Sequence, residues 1–109
     1  SGWDQESLEM IKEITLLCLG ENWPDFIKFK PVAILTLTKL FPKIAIELIP
    51  EWLDSSKTPF WACRYAALLS IELNLIDITS NSLTQNIVKS KEDSHRFVSG
   101  KARMLTFKN

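Results

Sequence analysis

Residues 43–53 constrain the fold more than any other stretch of the chain. Lys43, Glu47, Pro50, Glu51 and Asp54 fall on one line of a helix, and the positions between them are apolar: Ile44, Ala45, Ile46, Leu48, Ile49, Trp52 and Leu53. A helix so apolar around most of its circumference must be covered by neighbours on more than one side. Lys43 and Glu47 stand one turn apart and can pair. Pro50 deletes one backbone hydrogen bond inside the segment, so a bend is expected there.

The neighbours that cover it are read from the rest of the chain. Residues 59–76 predict the longest and most buried helix. Thr58 is placed to cap it and Pro59 to occupy its first position. Small residues (Ala62, Cys63, Ala66, Ala67, Ser70) allow close backbone approach, and Phe60, Trp61, Leu68, Leu69, Leu73 and Ile76 fill the space around them. Trp52 and Trp61 are expected to face each other across the intervening turn. Residues 4–19 predict another helix, with Asp4 as N-cap and Gly20 as a left-handed C-terminal cap. Met10, Ile14, Leu17 and Cys18, with Leu8 and Ile11, form its wide apolar face. Trp23-Pro24-Asp25 punctuates a connector over 21–30. In 31–41 the alternating β-branched residues Val32, Ile34, Thr36 and Thr38 suit a strand. Pro31 at a first turn, and the shared face of Ile34, Leu37, Thr38 and Phe41, favour a helix. Residues 82–92 form a weaker helix, with Ser82-Leu83-Thr84-Gln85 as its cap and Leu83, Ile87 and Val88 as its apolar face. Residues 93–109 hold Phe97, Val98, Met104, Leu105 and Phe107, enough for a short docked element, and a tail is the equal alternative.

Helices joined by short turns, with starts near 4, 43 and 82, have a period of about 40 residues, which suggests a helical solenoid. Residues 48–69 sharpen this. Leu48-Ile49-Pro50-Glu51-Trp52-Leu53, a turn, and Thr58-Pro59-Phe60-Trp61-Ala62-Cys63-Arg64-Tyr65-Ala66-Ala67-Leu68-Leu69 resemble one repeat of the HEAT family. Pro50 matches the proline of the first helix and Pro59 that of the turn. Cys63 and Arg64 match the family's Val-Arg, and Ala66 and Ala67 its small positions. Thr58 stands where the family has aspartate. In the family that aspartate joins a ladder with the arginines of stacked repeats, so the resemblance leaves the partner of Arg64 open. It implies an all-α fold: antiparallel helix pairs stacked as a short HEAT-like right-handed solenoid or helical bundle.

Composition bounds the function. With 109 residues, 46% hydrophobic and 24% charged, the chain is an ordinary globular domain. Ser1-Gly2 reads as a tag-cleavage scar, 3–92 as the helical-repeat domain and 93–109 as a basic C-terminal segment. Thirteen Lys and Arg balance thirteen Asp and Glu, so no global field recruits polyanions. The charge is nevertheless polarised: net −3 over 1–30, −1 over 31–79 and +4 over 80–109. Cys18 and Cys63 each lie in apolar runs and are expected as buried free thiols. One histidine and no clustered cysteines leave no metal site. No apolar run approaches the roughly 20 residues that span a bilayer, and no signal peptide is visible.

No GxSxG, HExxH, Walker or GxGxxG pattern is present. Asp93, Ser94 and His95 are sequence neighbours that seldom point at one another, so His95 is expected to be solvated. Glu47 and Glu51 share a solvated line with Lys43 and Asp54. These readings lead to a non-enzymatic protein-interaction or scaffold module, a fragment of a larger helical-repeat protein, with no cofactor and an intracellular location (cytoplasmic or nuclear). Its expected partner is another protein or the remainder of the parent chain, and self-association through exposed repeat ends is a further option. The first alternative is a nucleic-acid-binding domain, and the second an enzyme with carboxylate chemistry. The candidate contact residues are Trp23, as an aromatic anchor, and the basic residues Lys89, Lys91, Arg96, Lys101 and Arg103. Pro50, Pro59, Arg64, Ala66 and Ala67 are the candidate structural residues.

Overall fold

Asp4 opens the first helix. Its Oδ1 accepts the Ser7 backbone N–H at 2.7 Å, which satisfies one of the orphan donors of a helix start. The computed structural model describes residues 4–20, 27–73 and 81–105. Helix α1 runs Gln5–Gly20. Gly20 is its last residue rather than a left-handed cap beyond it, and a Cβ there would meet open space. The wide apolar face expected of α1 is only partly used, because Met10, Ile14 and Leu17 are exposed. Among the described residues α1 packs mainly on the helix that follows it.

Helix α2, Lys30–Leu40, resolves the strand-or-helix ambiguity in favour of helix. Its buried residues are Ala33, Ile34, Leu37 and Thr38, spaced at one and three to four rather than at two. Thr38 donates its hydroxyl to the Ile34 carbonyl at 2.7 Å, so a fully buried polar group is satisfied inside its own helix. Phe41 precedes a proline and leaves helical geometry (φ −136°, ψ 64°). Pro42 then starts α3, Pro42–Leu53, at a position that has no N–H to lose. Pro50 lies inside α3, which buries Ala45, Ile49, Trp52 and Leu53.

Helix α4 spans Trp61–Glu72 and buries Cys63, Arg64, Ala66, Ala67, Leu68, Ser70 and Ile71. Its start differs from the expectation. Phe60 occupies the N-cap, and Pro59 lies outside the helix. The Thr58 hydroxyl donates to the Glu51 carbonyl at 2.7 Å, closing the end of α3 instead of opening α4. With 12 residues α4 is also shorter than the 16-residue α1. Helix α5 is Asn81–Ser90. The segment left open between docked element and tail forms α6, Arg96–Leu105, which buries Val98, Ala102 and Leu105 at spacings of four and three.

Among the described residues the fold is all-helical, with six helices. Sequence neighbours pack on one another, α1 with α2, α2 with α3, α3 with α4 and α5 with α6. Alternate helices stack in order, α2 on α4 and α4 on α6, while α3 packs on α5. The extents of 39 × 31 × 18 Å describe a slab two helices thick, since one helix with its side chains is about 10–12 Å across. The core runs through the slab from Ile34 and Leu37 through Ala67 and Leu68 to Val98 and Leu105. Trp3, Trp23, Pro24, Asp25, Asn74, Ile76, Phe107, residues 1–2 and the capping side chain of Ser82 lie outside the described residues.

Candidate functional site

Arg64 organises the turn on which the main cleft is built. Its Nε donates to Asp93 Oδ2 at 2.7 Å and its Nη2 to Asp93 Oδ1 at 3.0 Å. Its Nη1 donates to the carbonyls of Thr58 and Pro59, both at 2.9 Å. The two side chains are 4% and 3% exposed. Asp93, in the turn between α5 and α6, is therefore the partner that the sequence left open. Burial alone would raise the Asp93 carboxyl, but the Arg64 guanidinium and the His95 backbone N–H outweigh it and hold the group below its ordinary range. A bidentate, desolvated pair of this kind fixes the 58–60 turn in one geometry.

That turn forms one wall of a cleft of about 900 Å³, within the range of small-molecule sites. The C-terminal end of α1 contributes Leu16, Leu19 and Gly20, and Ile27 follows. Helix α2 contributes Lys30 and Ile34, and α3 contributes Leu48, Glu51 and Trp52. Lys57, Thr58, Pro59 and Phe60 complete the turn, and Cys63 enters from α4. Among the described residues the walls are largely apolar, with Lys30, Glu51 and Lys57 as the charged groups. Neither lysine makes an ion pair with a described residue.

Cys63 and Cys18 are free thiols, Cys63 buried and Cys18 half-buried. Burial pushes the Cys63 thiol up to about 11, against a smaller opposite pull from Lys30 and Arg64. It is protonated at neutral pH and serves as a wall of the cleft, because only the thiolate is an effective nucleophile. Among the described residues no group of three His, Cys, Asp or Glu gathers as a metal site would require.

The opposite end of the turn carries an aromatic cluster. His95, expected to be solvated, stacks on Trp61 at 4.2 Å with 6° between the planes, and its Nδ1 accepts the Phe97 N–H at 3.3 Å. Tyr65 and Phe97 complete the ring contacts of Trp61, at 6.2 and 5.6 Å. Trp61 thus turns toward α6 and not toward Trp52, which is buried in the core and reaches the cleft.

The basic candidates do not share one role. Lys101 pairs with Glu72 at 2.8 Å and lies 5.7 Å from the Tyr65 ring centroid. Its bond to Glu72 raises the ammonium above its ordinary value. Arg96 sits 5.1 Å over the Phe97 ring. Arg103 reaches the Lys91 carbonyl at 3.4 Å. Lys89 borders a smaller polar cleft of about 450 Å³ with Asn86, Glu92 and Asp93. Sequence reasoning assigned Ile34, Leu48, Trp52, Phe60 and Cys63 to the core and missed that they also bound a cleft. The discontinuity of four elements in sequence hides such a site.

The chain is 35% identical over 103 residues to the bilin biosynthesis protein CpeY of Synechococcus sp. strain WH8020. The match covers 94% of this chain and 24% of the relative, so the chain spans about a quarter of that protein's length. No protein-family model matches the chain. No solved structure matches it.

This similarity corrects the functional expectation. A non-enzymatic scaffold, with nucleic-acid binding as its alternative, does not stand against a relative named for a biosynthetic role. The absence of catalytic motifs misled because a short motif reports only chemistries that carry one. The expectation of no membrane span agrees with the helices: among the described residues none is long and apolar enough to cross a membrane.

Proposed function

We propose that the chain is a HEAT-like repeat segment of a protein that works on bilins, and that the cleft between α1, α2, α3 and α4 is where this segment contacts the bilin. The similarity to a bilin biosynthesis protein across nearly the whole chain carries the reading. The cleft supports it physically. A bilin is an open-chain tetrapyrrole, conjugated and apolar over most of its surface, with pyrrole N–H donors and propionate carboxylates. Leu19, Ile34, Leu48, Trp52 and Phe60 offer apolar walls for its body, and Glu51 offers an acceptor for N–H groups. The 58–60 turn, clamped by Arg64 and Asp93, presents its wall without ordering cost at binding. The segment's part in the reaction is to hold and orient the tetrapyrrole, which lowers the barrier through positioning.

Titration with biliverdin, followed by visible absorption and induced circular dichroism, tests the proposal. Saturable binding with an induced signal is expected. Leu48→Arg, which places a charge in the cleft from a half-buried position, should weaken binding at least about tenfold while the far-ultraviolet spectrum stays helical. Absence of an induced signal, or unchanged affinity in the variant, would overturn it.

A further inference from the structure

We infer that Lys30 and Lys57 grip the propionate carboxylates of the ligand, so that the cleft selects a free tetrapyrrole dicarboxylic acid over its neutral esters; this rests on the bilin reading above. Both lysines line the cleft. They reach it from separate elements, the first turn of α2 and the turn between α3 and α4. Each basic group elsewhere that pairs does so with a nearby acid: Lys12 with Glu9, Arg64 with Asp93 and Lys101 with Glu72. Lys30 and Lys57 form no such pair with a described residue.

Among the described residues, the acids around them are otherwise engaged or few. The Asp54 carboxylate accepts the Ser56 backbone N–H at 2.8 Å and the Ser56 hydroxyl at 2.6 Å, and Lys57 is a minor influence on it. Among the described residues, Glu51 is the one carboxylate lining the cleft, against two ammonium groups. Lys30 is half-buried and Lys57 exposed where they line the cleft. An unpaired ammonium beside low-dielectric walls attracts a carboxylate more strongly than one in open water. Two of them from separate elements suit a ligand that carries two carboxylates on side arms, and the apolar walls between suit the body that joins the arms.

The test compares biliverdin with its dimethyl ester on the whole 109-residue chain, and then on Lys30→Met, Lys57→Met and the corresponding arginine variants. The acid should bind at least about tenfold more tightly than the ester, and each methionine variant should lose roughly tenfold for the acid and little for the ester. Arginine should restore most of the loss, and added salt should weaken the acid alone. Neither lysine makes a hydrogen bond with a described side chain, so the variants should keep their helical spectra. Equal affinity of acid and ester, or methionine variants that bind the acid as the parent does, would overturn the inference and leave the bilin reading standing. Failure of both acid and ester to bind would overturn the two together.

Discussion

Replacing Arg64 by alanine would leave the buried Asp93 carboxylate without its counter-ion, with only the His95 backbone N–H still donating to it among the described residues. Removing one partner of a buried pair costs about 3–5 kcal/mol, and here two carbonyls of the 58–60 turn lose their donor as well. Arg64→Ala should lower the chemical-denaturation free energy by that amount, and a loss under about 1 kcal/mol would mean that the pair does not hold the turn. The same carboxylate gives the fold an acid dependence. Its value is lower folded than unfolded, so its contribution is fully present above its ordinary value and is lost as pH falls through the lowered one. Thermal melts from pH 6 downward should therefore lose stability in the acid range, and Arg64→Ala should flatten that dependence. The resemblance of residues 48–69 to a HEAT repeat made Arg64 legible as a candidate bridging residue. It did not reveal Asp93, because the pairing spans 29 residues and joins one helix pair to the next.

At the scale of elements, α4 is the test piece. Ala67 is fully buried in the helix that touches α2, α3 and α6. Ala67→Leu should cost about 1–3 kcal/mol by overpacking, measured by denaturant titration; tolerance would show that the helices do not meet closely there. Ser70 Oγ is buried and makes no hydrogen bond among the described residues. Ser70→Ala therefore removes a desolvated group without breaking a bond, and the variant should be at least as stable as the parent, by up to about 1 kcal/mol. Helix identity was readable because the apolar positions recur at helical spacing, even in α2, where β-branched residues suggested a strand. Helix ends were not. Thr58 is a good cap in isolation, yet the chain uses its hydroxyl to close α3, a choice made by the fold of the turn. The face of α6 was hard to see because only Val98, Ala102 and Leu105 carry it, among the charges of Arg96, Lys101 and Arg103.

For the whole molecule, a slab of stacked helix pairs makes clefts where successive pairs meet, and one of about 900 Å³ lies where α1 and α2 meet α3 and α4. Periodicity predicts that such pairs stack; it does not predict which apolar side chains remain unfilled between them. That is why Ile34, Leu48 and Trp52 read as core from the sequence and turn out to be walls as well. The polarity of charge along the chain was legible and real, but the bases that create it are dispersed over α5, α6 and their turn. The measurement that tests the account most directly is amide and indole chemical-shift mapping of the isotope-labelled chain during titration with biliverdin. The account predicts saturable shifts centred on Leu19, Ile34, Leu48, the Trp52 indole and Cys63, with His95, Phe97 and the rest of α6 nearly unmoved. Shifts centred on the Trp61–His95–Phe97 cluster, or no saturable shifts at all, would contradict it.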